Sequence, residues 1–446
     1  MKSRLPLHRL HPLLPLALSL ALVGPGATAR VVGQNLPPPP LTAERVETLP
    51  AHARAAWLDY LSRSSAQQAQ DRAALAAERA GLDTWPAPPE SHGRGAETMP
   101  LNKPAAWYAS EEAVLIGRNI LSYQTPAGGW GKNQPRDRPP RARGQAFVGN
   151  NNSKFATPGD FDLPKDAAWS YVGTIDNDAT ITEIRFLTRL AAQAPGAAGG
   201  VYREAALRGI DYVLHAQFPN GGWPQVWPLQ GGYHDAVTLN DDAVVEVAEL
   251  LMQVAKGSDG FEFFPQDRRL QAAQAVQRSI QLLLDAQLRQ GGQRTLWAQQ
   301  YDALTLEPVS ARNYEPGAPC TAESVGVLVF LMGLPEPSRE VQAAVHGGIA
   351  TLERIAVHGR AWDGKGTAEG RRLIDKPGSR PLWARFYSLD TWQPLFGDRD
   401  KSLHDDVNEL SRERRDGYNW WGEWPTKALK AYEAWSARWP RSATKP

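Results

Sequence analysis

Gln124-Thr-Pro-Ala-Gly-Gly-Trp130 returns further along the chain as Gln217-Phe-Pro-Asn-Gly-Gly-Trp223, and a weaker echo, Gln287-Leu-Arg-Gln-Gly-Gly-Gln293, precedes Trp297. Each copy follows a segment whose apolar residues recur at helical spacing. The Gly-Gly pair supplies the left-handed backbone angles that end a helix and reverse the chain. A helix stop repeated in this way predicts stacked helical hairpins. Hairpins whose long loops gather at one end close into an α/α toroid, or an incomplete (α/α) barrel, with a mouth made of those loops. The expected fold is therefore mostly α with few short strands; an irregular helical bundle with coincidental turns is the competing arrangement.

Outward from these loops, apolar periodicity predicts helices over Ser110–Ser122, Asn177–Gln193, Tyr202–Ala216, Asp241–Ala255, Pro265–Gln287, Ala322–Met332, Arg339–His358, Lys401–Arg415 and Pro425–Ala437. An earlier one, over Ala55–Leu82, is stopped by Pro86, Pro88 and Pro89. Ahead of it, residues 30–54 carry Pro37 to Pro40 in a row and read as an extended, poorly ordered tether. Residues 1–29 read as a signal for export: Lys2, Arg4 and Arg9, then an apolar run from Leu13 to Val23, then Ala27-Thr28-Ala29. That run is short for a membrane span, so a secreted or periplasmic protein without a stable membrane anchor is expected.

Composition narrows the chemistry. Lys and Arg number 49 against 48 Asp and Glu, a net charge of +1, so no global field draws the 446-residue chain to nucleic acid or a membrane surface. Preference for an anion must come from local clusters. The lone Cys320 cannot form an internal disulfide, and with nine scattered His it excludes a zinc finger. Sixteen Trp suit either stacking on sugar rings or a heavily aromatic core.

Three kinds of segment concentrate functional groups. Thr174-Ile-Asp-Asn-Asp-Ala-Thr180 places Asp176, Asn177 and Asp178 at a predicted helix start, and Thr238-Leu-Asn-Asp-Asp242 repeats the composition before the next hairpin. One such residue suffices to cap a helix. Clustered hard oxygens also suit calcium, and two acidic helix starts at one end of a toroid would repel without a cation between them. The same carboxylates could instead form the acid and base of a glycosidase. The third kind is a set of arginines, Arg312, Arg385 and Arg399, each in an aromatic-rich, loop-like setting. A guanidinium beside aromatic rings is an apt clamp for a sugar carboxylate.

Taken in order, these segments resemble the pectate lyases of polysaccharide lyase family 10. The matching stretches are Leu101-Asn-Lys-Pro-Ala-Ala-Trp-Tyr108, Gly128-Gly-Trp-Gly-Lys-Asn133, Ile175-Asp-Asn177 with Ala179, Thr180 and Glu183, Gly221-Gly-Trp-Pro-Gln225, Thr238-Leu-Asn-Asp241, Trp297-Ala-Gln-Gln300, Ala311-Arg-Asn-Tyr-Glu315, Trp383-Ala-Arg-Phe-Tyr387 and Arg412-Glu-Arg-Arg-Asp-Gly-Tyr418. The resemblance implies a catalytic domain over residues 99–440 that cleaves polygalacturonate by β-elimination with calcium. It implies Arg312 as the base that removes the C5 proton, Asp176, Asn177 and Asp241 at the calcium, and Arg385, Arg399 and Lys132 on substrate carboxylates. Asp178, where a small residue is common, departs from the pattern, as does Pro316-Gly-Ala-Pro-Cys320.

An arginine base has to lose a proton that a free guanidinium keeps up to about pH 12. Neighbouring Arg, Lys and calcium charges are expected to lower that value, with activity rising toward alkaline pH. The rival readings are a hydrolase using paired carboxylates such as Asp241 and Glu323, and a non-catalytic protein that binds an acidic polysaccharide. A monomer is expected.

Overall fold

The computed structural model describes residues 30–441 except 92, 94 and 195; the expected export segment lies outside the described residues. The helices are α1 (Ala43–Val46), α2 (Ala51–Arg79), α3 (Glu111–Tyr123), α4 (Ile181–Gln193), α5 (Gly196–Ala216), α6 (Ala243–Lys256), α7 (Gln266–Ala286), α8 (Thr321–Gly333), α9 (Arg339–Arg354), α10 (Arg412–Gly417) and α11 (Pro425–Arg438). Three hairpins, α4/α5, α6/α7 and α8/α9, stand side by side. Helices α4, α6 and α8 form one row and α5, α7 and α9 the other, with α3 against α4 and α5 at one end and α11 against α8 and α9 at the other. The result is an open α/α toroid rather than a closed barrel. Helix α8 carries Val325, Val327, Leu328, Phe330 and Leu331 buried around its circumference, as a helix covered on most sides must.

The repeated loop sequence is the joint of this stack. The Gln that follows each of α3, α5 and α7 donates its side-chain amide twice, once to its own loop and once to the next outer helix. Gln124 reaches Gly128 O and Ala205 O, Gln217 reaches Gly221 O and Ala275 O, and Gln287 reaches Thr295 O and Ala344 O at 2.8 and 2.9 Å. The Trp that follows is buried and donates its indole N–H to the last turns of the preceding helix: Trp130 to Ile120 O, Trp223 to Val213 O, Trp297 to Leu283 O and Trp383 to Leu352 O. These tryptophans are therefore core residues whose polar end closes a helix, not sugar platforms. The glycine is sterically required, since a Cβ on Gly221 would lie 2.4 Å from Arg278 O and the residue has φ +95°.

Two expectations fail, both for tertiary reasons. The presumed tether is tied down: Val31–Gln34 forms the edge strand of a four-stranded antiparallel sheet, beside Ser402–His404, Pro394–Gly397 and Phe386–Tyr387 in that order. Asn35 then donates to Asn313 O at 2.8 Å, and Arg45 pairs with the buried Asp302 at 2.8 Å. The same sheet removes most of the helix expected over Lys401–Arg415. Ser402–His404 is a strand, and Asp400 and Asp406 accept backbone N–H bonds from Ser402 and Asn408 that compete with helix formation, leaving only α10.

Helices α4 and α6 begin later than the periodicity suggests, because Asn177, Asp178, Asp241 and Asp242 all have positive φ. Asn and Asp tolerate that region better than other side-chain-bearing residues. Each turn brings one carboxylate, Asp176 or Asp241, to the mouth before the helix starts. Among the described residues no helix is long and apolar enough to cross a membrane.

Candidate active site

The mouth of the toroid holds a cavity of about 420 Å³ lined by Lys132, Asp176, Asn177, Asp241, Arg312 and Arg399 among others. Six of the seven residues singled out in the sequence therefore share one space. The seventh, Arg385, lines an adjoining cavity of about 340 Å³ that has Asn240, Asp241, Arg312 and Gly417 in common with the first. Arg312 stands where the two meet.

Four of the cations singled out from the sequence are braced by an acid. Arg312 makes a bidentate pair with Glu315, Nε at 2.8 Å and Nη2 at 2.6 Å, and Glu315 also accepts from its own loop at Arg312 N and from the Tyr418 hydroxyl at 2.8 Å. Rings of Tyr314 and Tyr418 lie against the same guanidinium. Arg399 pairs with Glu413, which holds Arg414 as well. Arg385 pairs with the buried Glu323 and sits over the Tyr418 ring. Lys132 pairs with the buried Asp176 and lies 4.3 Å from the centre of the Tyr171 ring.

The electrostatics follow from these partners. Burial pushes the Asp176 carboxyl up, but the ammonium of Lys132 outweighs it and the net shift is downward. Burial and then the Lys132 charge hold His234 down to about 3, so it is a neutral ring bonded to the Tyr171 hydroxyl. For Arg312 the protein's own groups act against the expected lowering. Burial alone would lower it, yet Glu315 and the surrounding tyrosines raise it well above the ordinary guanidinium value. Glu315, despite burial, is held down to about 2 by that same Arg312. Nearby cations do not dominate the resting base; its carboxylate partner does.

Asp178 is absent from the lining of both cavities. Its charge contributes to raising Asp242. Glu323 lines neither cavity and, chiefly through burial, is pushed up to about 8.

Can this mouth hold calcium? Among the described residues no three His, Cys, Asp or Glu side chains converge as a metal cluster. Asp176, Asn177 and Asp241 nevertheless offer hard oxygens in one cavity, two carboxylates and an amide carbonyl. Calcium takes six to eight oxygens, so this set fits as part of a shell whose remainder comes from an anionic ligand and water. Reasoning from sequence missed Glu315 and Arg414 in the lining and Glu413 behind Arg399, although all lie in quoted motifs, and it missed Tyr171, Tyr233 and Gln225, which carry no charge to draw notice.

Comparison with known proteins bears on what such a mouth does. A family model described as pectic acid lyase matches residues 124–429. The chain is similar to the solved structure of a family 10 polysaccharide lyase from Cellvibrio cellulosa, with 31% identity and a TM-score of 0.61 over 76% of this chain and 97% of that one. It is similar also to a point mutant of a Cellvibrio cellulosa family 10 polysaccharide lyase in complex with trigalacturonic acid, at 30% identity and a TM-score of 0.61, covering 77% and 99%. No curated protein matches the chain.

Proposed function

The chain belongs to the pectic acid lyases, family 10 of the polysaccharide lyases, and from that premise we propose that it cleaves de-esterified polygalacturonate by β-elimination with Arg312 as base and calcium as cofactor. The observation that carries this reading is the shared cavity of Arg312, Asp176, Asn177 and Asp241. Its residues 1–29 support export, to the compartment where a wall polysaccharide is met.

The C5 proton of a uronate lies beside a carboxylate and is hard to remove. Arg399, braced by Glu413, and Lys132 present cations to the substrate carboxylate, so that charge building on it as the proton leaves meets fixed positive groups. Calcium held by Asp176, Asn177 and Asp241 would add a second positive charge there. The Arg312 guanidine takes the C5 proton, the C4–O bond breaks, a C4–C5 double bond forms, and the departing oxygen is protonated from water. Glu315 fixes the plane of that guanidinium from the side away from solvent. The same grip keeps it charged, so the neutral base is scarce at pH 7 and rises roughly tenfold per pH unit. The rate should climb well into the alkaline range.

Incubation with polygalacturonate should yield an unsaturated product absorbing in the ultraviolet, with loss of the signal in chelator and in Arg312→Ala. A flat or acidic pH profile, or turnover retained by Arg312→Ala, would remove the base assignment. A carboxylate-pair hydrolase is disfavoured because Glu323, its candidate partner to Asp241, is locked behind Arg385 outside both cavities.

A further inference from the structure

Beyond Arg312 the second cavity is built by a part of the chain that the site described so far leaves out. The antiparallel hairpin Arg360–Asp363 with Arg372–Asp375 turns through Gly364, Gly366 and Gly370, all with positive φ. Its turn brings Lys365 and Arg371 to the wall of the cavity that Asp241 and Arg385 also line. The turn is not a loose tip. Helix α10 pins it on three side chains: Arg412 donates to Thr367 O at 2.8 Å, Arg415 to Arg371 O at 2.5 Å and Glu369 O at 3.1 Å, and Asp416 accepts from Arg371 N at 2.7 Å. Helix α10 also carries Arg414, which lines the first cavity. One short helix thus fixes cationic walls on both sides of Arg312.

Among the described residues most cations lining the two cavities have an acid of their own, with Lys154 of the first cavity an exception. Arg399 and Arg414 share Glu413, Arg385 has Glu323 and Arg312 has Glu315. Among the described residues the ammonium of Lys365 has no ion-pair partner, and the Arg371 guanidinium is bonded to the neutral Asn419 side chain at 3.2 Å. Asp241 and Asp416 also line this cavity, but Asp416 is taken up by Arg412 and the Arg371 backbone N–H, so the two side-chain cations without an ion pair are matched to a ligand that brings an anion.

We infer that Lys365 and Arg371 form a carboxylate subsite for a second uronate, so that an acidic polysaccharide lies across Arg312 with sugars gripped on both sides. The inference rests on the polygalacturonate reading given above, and it adds that the bond cut is internal to the bound stretch. Lys365 is exposed and unbraced, so Lys365→Ala removes a charge without a folding cost; Arg371→Ala and the double variant complete the series.

The probe is polygalacturonate itself. In an Arg312→Ala background, calorimetric binding of the polymer should weaken roughly tenfold for each cation removed, and the salt dependence of binding should flatten. In the active enzyme the same substitutions should raise KM for the polymer, with Lys365→Arg keeping most of the affinity. Binding and KM within twofold of the parent for the double variant would overturn the subsite. Absence of any unsaturated product from the unsubstituted enzyme would instead overturn the lyase reading, while the binding series still decides whether Lys365 and Arg371 hold the polyanion.

Discussion

The turn before α4, Asp176-Asn177-Asp178, and the turn before α6, Asn240-Asp241-Asp242, follow one path: the second and third residues are left-handed in both, at φ 52° and 63° in the first and 52° and 58° in the second. Their chemistry is exchanged at the first two positions. In the first turn the buried leading residue is the acid, and Lys132 faces it. In the second the leading residue is an amide, and Asn240 donates to Asp241 at 2.9 Å. Each turn therefore sends one carboxylate into the cavity, from a different step of the same backbone. Two repeats of a scaffold have been made complementary instead of identical, which spreads the anionic charge that a single cation could hold.

The largest effect should come from removing those two acids. Asp176→Asn and Asp241→Asn are each expected to lower kcat/KM on polygalacturonate at least roughly a hundredfold, by analogy with the loss of metal-site partners. They should differ in rescue. With Asp241→Asn the buried Asp176 still anchors the site, so added calcium should restore part of the rate. With Asp176→Asn the largely buried Lys132 ammonium loses its partner, and calcium should restore little. Equal rescue by calcium would show that the two turns are interchangeable after all.

A second difference is structural and should produce a smaller effect. Helix α6 starts directly after its turn, whereas Ala179 and Thr180 separate the first turn from α4. Thr180 is buried with φ 68°, an unusual conformation for a β-branched residue. Its hydroxyl accepts from Trp130 N at 3.0 Å and donates to Thr174 O at 2.8 Å, tying the turn to the repeated Trp loop. Thr180→Val leaves both backbone groups buried and unmet, for an expected loss of about 1–3 kcal/mol. Urea denaturation would measure it; a change under about 0.5 kcal/mol, within the range of ordinary surface substitutions, would deny the hydroxyl that role.

Much of this was legible before any coordinates because it is local and repeated. The Gln and Gly-Gly-Trp spacing announces a helix end three times over, and the Asp and Asn runs announce clustered oxygens. What could not be read is what crosses the chain. Glu323 and Glu413 brace Arg385 and Arg399, but nothing in their sequence surroundings marks them as partners, and only Glu315 lies near enough to its arginine to be noticed. The segment after residue 30 was misread for the same reason. Its prolines describe a chain with no internal hydrogen bonds, while the pairing of Val31 with His404 depends on a strand near the other end of the molecule. Lys401–Arg415 carries helix-forming residues that the same distant strand overrules.

The smallest expected effect tests the third position of the two turns. Asp242 is turned toward α8, where a Cβ on Gly326 would lie 1.9 Å from its Oδ1, so this glycine makes room for the carboxylate. Burial first, then Glu246, raises Asp242 to about 6; Lys427 opposes the rise, and Asp241 and Asp178 add to it. A group whose folded value lies above its unfolded one favours folding at low pH, and that contribution is lost as pH rises through about 6. Asp178→Ala removes one repelling charge, so the Asp242 value should fall and the loss of stability between about pH 4 and 6 should shrink. Cleavage of polygalacturonate and its calcium dependence should stay within about twofold, since Asp178 lines neither cavity. Carboxyl titration by NMR and thermal melts across that pH range would check both halves. A large loss of calcium affinity would instead place Asp178 beside the metal and break the division of labour between the second and third residues of each turn.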